Sequence, residues 1–420
     1  MHPISADTAQ SSPPLSEAPR PSEPRVREAL RVVPVQTARD LRRFIKVPWQ
    51  IYANEPNWIP PLLLEQRHSL GKKNPFFEHA RGQYWIAYRG AEPVGRISAQ
   101  VDDLHIERYN DATGHFGLLE AVDDPEVFAA LFGTAEAWLR DRGMERVVGP
   151  FNLSINGDIG LLVHGFDTPP MFLMSHGHPY YDARVTEQGY RKAKDVVAYL
   201  LDPSLAPPDV MLGSARRADH SGRIQIRPIR RPKLRQEMVV LSEIFNDAWS
   251  NNWNFVPFTP AEFDDLGDSL RLFVPPEFVQ IAEVDGRPAA MIVIVPNVGE
   301  CIRDLNGRLL PFGWARLLWR LKWRGPRSAR VALLGVRKEY HRSTLATALA
   351  FGLINAVRQP VLDHRIERLE LSWTLEDNHP MRRIKERIGA RKYKTYRLYE
   401  KSTREPAHRQ DKPSTTDEHR

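Results

Sequence analysis

The sequence predicts an α+β protein of two tandem units, each a mixed, mostly antiparallel sheet flanked by helices. Three observations carry that expectation. Residues 330–401 hold an apolar strand, a polar turn, a long apolar helix, a second strand, a short basic helix and an alternating closing strand. Upstream, two strand-like runs flank Asp285-Gly286, a dipeptide suited to the type I′ turn of a hairpin. The same order of elements is legible in the first half, as pattern and not as residue identity. Residues 1–25 then form a disordered tail, 26–205 the first unit, 206–401 the second and 402–420 another tail.

In chain order, Arg31–Gln36 reads as a strand, and Thr37 or Asp40 starts a helix with Leu41, Phe44, Ile45 and Trp49 on its apolar face. Prolines make Asn54–Pro61 a rigid turn, and Leu62–Leu70 is a second short helix. Gln83–Arg89 and Val94–Asp102 form a hairpin, followed by a strand at His115–Glu120, a helix at Pro125–Arg142 and a strand at Arg146–Gly149. A loop rich in glycine and asparagine, Gly149–Gly160, leads to a short helix ending at Gly189 and a strand at Val196–Leu201. Past the linker Asp202–Pro208 the order restarts with a strand at Ile224–Ile229 and a helix at Lys233–Trp249. Thr259 caps a further helix with Pro260 at its first position.

A chain of 420 residues has room for two sizeable cores. Its formal net charge of +7 suggests an acidic partner: coenzyme A, anionic lipid or nucleic acid. Nucleic acid is not expected, because the positive charge is scattered and no aromatic strand platform accompanies it. The single cysteine, Cys301, excludes an intrachain disulfide and a cysteine zinc site, and no histidine or carboxylate cluster points to a metal. Met1–Pro24 lacks the apolar core of a signal peptide, and no run of about eighteen apolar residues suggests a bilayer span. The expected location is cytoplasmic.

Residues 311–324 add a peripheral feature. On a helical wheel Arg316, Arg320 and Arg324 form one stripe, while Phe312, Trp314, Leu317, Leu318, Trp319, Leu321 and Trp323 fill most of the rest. Such a helix is too short to cross a bilayer and suits the headgroup layer of an anionic membrane, here its inner face.

Residues 330–401 resemble the second half of the GNAT acyltransferases, which move an acyl group from coenzyme A to an amine. The family's Val-x-x-x-(Tyr)-(Arg/Gln)-x-x-Gly-x-(Gly/Ala) is matched by Val336, Tyr340, His341, Thr344 and Ala346, with Thr in place of Gly and His in place of Arg/Gln. Its Asn-x-x-Ala-x-x-(Leu)-(Tyr)-x-x-x-Gly-Phe is matched by Asn378, Met381, Ile384, Lys385, Gly389 and Ala390. From Arg31 to Lys401 the chain is similar to a family of two-unit GNAT-like bacterial proteins, on residues 149–156, 165–170, 305–314 and 334–340. Some relatives resemble bacterial ceramide synthases, which join a fatty acyl group to the amine of a sphingoid base. The resemblance implies an acyl-CoA-dependent N-acyltransferase acting on a long-chain base. An acetyl-CoA enzyme of a small amine and a non-catalytic lipid- or protein-binding module remain as alternatives.

A helix N-terminus offers unpaired N–H groups and partial positive charge to a pyrophosphate. The turn His341, Arg342, Ser343, Thr344, Leu345 and Ala346 is the candidate for it. By resemblance, amides from Leu334 to Val336 polarise the thioester carbonyl, Asn378 holds the pantetheine arm, and Tyr393 or Tyr396 protonates the departing thiolate. Glu339, Glu370 and His341 are candidate bases. Asn152, Ser154, Asn156 and Asp158, with Tyr181, are candidates for binding the amine substrate, since such side chains hydrogen-bond polar groups.

Overall fold

The structure, a computed structural model, describes residues 28–206, 208, 209, 211, 213 and 222–403. The tail expected at 1–25, and all but the first two residues of the tail expected at 402–420, lie outside the described residues. In the first half the chain forms β1 (Leu30–Pro34), α1 (Ala38–Ile51), α2 (Leu63–Ser69), β2 (Ala80–Arg89), β3 (Glu92–Asp102) and α3 (Asp103–Tyr109). It continues through β4 (Thr113–Ala121), α4 (Pro125–Arg140), β5 (Arg146–Gly149), β6 (Leu161–His164), α5 (Tyr181–Glu187) and β7 (Arg191–Leu201). The second half holds β8 (Ile224–Pro228), α6 (Leu234–Ala248), α7 (Pro260–Leu270), β9 (Val279–Val284), β10 (Arg287–Pro296) and α8 (Gly299–Ile302). After them come α9 (Gly313–Trp319), β11 (Ser328–Val336), α10 (Thr344–Asp363), β12 (Arg368–Leu375), α11 (His379–Arg387) and β13 (Arg391–Ser402).

Local chemistry sets many of these limits. Thr37 and Thr259 each accept from the N3 amide while the N3 acid returns a bond to the cap, so α1 and α7 begin with capping boxes. Asp285 and Gly286 adopt φ of 50° and 78°, the two left-handed residues that a tight β9–β10 hairpin requires.

All strands join one thirteen-stranded sheet, running β1-β2-β3-β4-β5-β13-β7-β12-β11-β10-β9-β8, with β6 also on β13. Among the described residues only β4–β5 and β11–β12 are parallel, each joined by a crossover helix, α4 or α10. The expected division at 205/206 separates segments of chain but not of sheet. Strand β13, at the end of the second half, inserts between β5 and β7 of the first, and β7 in turn pairs with β12. Ion pairs fix this exchange: Arg397 to Asp195 at 2.9 Å, Arg146 to Glu400 at 2.7 Å and Lys401 to Glu136 at 2.8 Å. The second tail was expected to begin at 402, yet Ser402 pairs with Arg146 inside the sheet.

Two further expectations change. The segment 311–324 is not one α-helix: α9 starts at Gly313 and gives way to a π-helical turn at Arg320–Arg324. Helix α10 is, at 20 residues, long and apolar enough by composition to cross a membrane. Its leucine and valine face, Leu349, Leu353, Val357 and Val361, is buried against the sheet.

Because β13 is shared, neither half has a complete sheet alone. A chain ending at residue 390 leaves β5 and β7 without the strand between them. It is expected to lose the cooperative urea transition of the full chain by circular dichroism. A first-half transition surviving intact would show that the halves fold separately.

Candidate functional site

Strands β11 and β12 share only four residue pairs, Ser328–Arg368 to Val331–Leu371, and then part. The gap is not filled. Ala332, Leu333 and Leu334 on one arm and Ser372, Trp373 and Leu375 on the other line a cavity of about 740 Å³. The same cavity is lined by Asn378, which caps α11, and by Ile384 and Lys385 within that helix. The opposite wall comes from the first half, from Glu65 of α2 and from the loop carrying Ser154, Asn156 and Asp158. Val293, Val331, Leu333, Leu371 and Val357 make much of the lining apolar, with a few convergent polar groups, the usual character of a ligand site.

The first half has the equivalent fork, and it is closed. Strands β4 and β5 pair from Thr113–Arg146 to His115–Val148. Beyond that the loop after Gly149 turns back between the arms: Phe151 N donates to Phe116 O at 2.8 Å, and Gln100 Nε2 donates to the carbonyls of Phe151 and Leu153. Gly117 allows it, since a Cβ there would stand 1.7 Å from the Phe151 carbonyl oxygen.

The two crossover helices also start differently. Asp124 caps α4, Pro125 removes an N–H and Glu126 adds a second acid, so that end repels an anion. Helix α10 has no side-chain cap and no acid in its first turn. His341 Nε2 lies 2.7 Å from Val336 O, which folds the turn back on the end of β11, and Arg342, Ser343 and Thr344 are exposed. Leu345 and Ala346 complete that turn. Leu334 lines the cavity, whereas Val336 does not. Asn378 lines the cavity and also caps α11, accepting from Met381 N at 3.2 Å.

The amine-side candidates divide. Asn152 accepts from Leu118 N at 2.9 Å, Ser154 from Asn156 N at 3.1 Å, and Asn156 donates to Val256 O at 3.0 Å. All three line the cavity: Asn152 ties the loop to β4, Ser154 bonds within it, and Asn156 reaches the second half. Asp158 makes no side-chain ion pair among the described residues, and burial holds its carboxyl above the ordinary range against the nearby Arg330 charge. Glu65, which the sequence offers as an ordinary polar helix position, faces the same space. Its side chain is exposed to solvent, yet the protein around it raises its carboxyl too, and the charge of Asp158 adds to the effect. Tyr181 is not at the cavity: it is buried, donates to Glu120 at 2.9 Å and accepts from Ala121 N.

None of the four expected catalytic residues, Glu339, Glu370, Tyr393 and Tyr396, lines the cavity. Glu339 is exposed on a 3₁₀ turn outside the cavity, because the turn carries it past the end of β11. Glu370, on β12, is fully buried, paired with Arg330 at 3.4 Å and receiving the Tyr393 hydroxyl. Burial outweighs the guanidinium and raises its carboxyl. Tyr396 is sealed in the core with its hydroxyl unpartnered, and neither tyrosine lines the cavity. Arg330 does line it, donating to Leu173 O at 2.7 Å and to Ser372 Oγ. The sequence marked Arg330 as a strand boundary, but the strand starts two residues earlier and buries it.

No family model matches the sequence. The chain is 48% identical over 375 residues to the "Bacterial ceramide synthase" of Caulobacter vibrioides, covering 89% of this chain and 97% of that one. It is 49% identical over 365 residues to "Protein YghO" of Escherichia coli, covering 86% and 93%. The chain belongs to their family. Its fold is that of tandem GNAT proteins: a tandem GNAT protein from the clavulanic acid biosynthesis pathway superposes with a TM-score of 0.54 at 15% identity, over 90% of this chain and all of the other. In this family member the GNAT fork is open in the second unit and filled in the first.

Removing Arg330 leaves a buried carboxylate without its partner. Arg330→Met is expected to cost about 3–5 kcal/mol in urea unfolding, partly recovered by adding Glu370→Gln. A loss under about 1 kcal/mol would show that the pair does not sustain this part of the core.

Proposed function

We propose that the chain is an N-acyltransferase that moves a long acyl group from coenzyme A to the amine of a lipidic, sphingoid-type base. The observation that carries the reading is the open fork between β11 and β12 leading into a large, mainly apolar cavity. The name of the Caulobacter relative supports the same substrate class. The pantetheine arm lies in the fork beside Leu334 and Asn378. The phosphates meet the uncapped start of α10, with Arg342 and Lys338 near them. The acyl chain takes the apolar part of the cavity, and the amine takes the wall bearing Glu65 and Asp158. Two carboxylates that hold no ion pair among the described residues attract an ammonium group, and raised basicity suits either one to remove its proton. The filled first fork and the acid-capped α4 support one donor site per chain.

The reading includes a membrane contact on the cytoplasmic side, where coenzyme A is supplied. Leu310, Phe312, Trp314, Leu318, Trp319 and Trp323 are all more than half exposed. Indole rings favour the headgroup layer. The arginine stripe is partly spent, as Arg316 and Arg320 pair with Asp304, while Lys322 and Arg324 hold no ion pair among the described residues. Leu317 and Leu321 turn inward onto a cluster with Ile59, Phe172 and Phe273, which also line the cavity. A lipid-facing surface and the cavity wall therefore share one apolar layer.

Purified protein given acyl-CoA of increasing chain length and a sphingoid base is expected to release free thiol, most rapidly with long chains, and to bind one equivalent of coenzyme A by calorimetry. Turnover confined to acetyl-CoA would overturn the lipid substrate, and absence of both turnover and binding would overturn the transferase. In flotation with anionic liposomes, wild type is expected to rise with the vesicles and Trp314/Trp319/Trp323→Ala to remain below. Equal flotation of the two would remove the membrane contact.

A further inference from the structure

Lys385 is a buried ammonium at the point where the two strands part, and the reading above gives it no role. It projects from α11 and is 8% exposed. Its Nζ lies 3.2 Å from Leu371 O, 2.8 Å from Ser372 O and 2.6 Å from Thr374 Oγ1. Those acceptors sit where β12 leaves β11 and where its register against β7 also shifts, between Leu371 and Thr374. Lys385 lines the cavity, where no other lysine and no histidine of the described residues does. The charged groups around it come from every packed element: Glu370 on β12, Arg330 on β11, and Arg382 and Glu386 on its own helix, the last two both bonded to the Tyr199 hydroxyl. The Tyr199 ring of β7 lies 5.6 Å from Nζ. Burial dominates, with Arg330 adding to it and Glu370 opposing, and brings the ammonium down to about 7.

We propose that Lys385 is the acid that protonates the sulfur leaving the thioester. The inference rests on the transferase reading. The amine nitrogen attacks the thioester carbonyl, forming the C–N bond. The C–S bond breaks and its electron pair goes to sulfur, which takes a proton from Nζ. The proton shed by the amine passes to the carboxylate wall, so the products are an amide and a free thiol. Neutral Lys385 keeps two N–H bonds to Leu371 O and Ser372 O, while the Thr374 hydroxyl turns to donate into the new lone pair. Lys385 then regains a proton from solvent and the carboxylate wall gives one up to it, which restores both groups. Holding the fork and supplying the proton are thus done by the same side chain.

A leaving group that needs no proton separates this role from a structural one. The full-length chain is assayed with a long-chain acyl-CoA and with an S-aryl ester of the same acid, whose thiol is more acidic. Lys385→Met is expected to lose about 10²- to 10⁴-fold in kcat/KM on acyl-CoA and little on the aryl ester. Lys385→Arg keeps the charge and the carbonyl bonds but holds its proton, and is expected to melt and bind coenzyme A as wild type does with the same selective loss. The acid must be protonated, so wild-type kcat/KM on acyl-CoA should fall as pH rises through about 7, a limb absent from the arginine variant. Equal losses on both esters, or an unchanged pH limb, would overturn the role while leaving the transferase standing. A wild type that releases thiol from neither ester would overturn both.

Discussion

Parallel strands share a ladder only while their backbones stay about 4.8 Å apart. Strands β11 and β12 keep that spacing for four pairs and then abandon it, and the site depends on this separation. Parting leaves backbone groups in the interior, where each unmet one costs about 1–3 kcal/mol. The β11 arm is kept in place by β10, which pairs with it as far as Val336. The β12 arm has a register shift on its other side, and Lys385 supplies donors at that point. The opening is therefore a supported feature of the sheet, bounded by α10 at the end of one arm and α11 beneath the other.

A fork alone has only one side. The far wall comes from the first half, and the exchange of β13 puts it there. With β13 held between β5 and β7, and β7 against β12, the two units are set at a fixed register by backbone bonds. The loop around Asp158 then reaches the second half, where Asn156 Nδ2 donates to Val256 O at 3.0 Å. Residues from both units meet in one cavity because the closing strand of the chain belongs structurally to its beginning.

Local chemistry was legible in the sequence and long-range pairing was not. Asp285-Gly286 announces its hairpin and Thr37 and Thr259 announce their helices, since each effect acts within a few residues. The alternation of Lys392–Glu400 says that a strand has two faces and is silent on which strands flank it, so the exchange stayed hidden. The fork was reached through resemblance at Val336 and Asn378. Polar loop residues carry the same ambiguity: Asn152 and Asn156 bond the backbone, Asp158 is left to the cavity, and nothing in their order tells them apart. Glu65 looks like any solvated helix residue, and only the arrangement of the two halves shows that it faces the cavity.

The difference between the two forks follows from small features of the first unit. A helix beginning with Asp124, Pro125 and Glu126 gains from its own dipole what it denies to an anion. Gly117, lacking a side chain, lets the Phe151 carbonyl sit against the strand. A side chain there would push out the loop that continues to Asp158. The filled fork is therefore the anchor of the opposite wall, and the geometry of a cavity in the second unit rests on a glycine in the first. Of two similar clefts, the filled one furnishes the rigid support that the open one lacks.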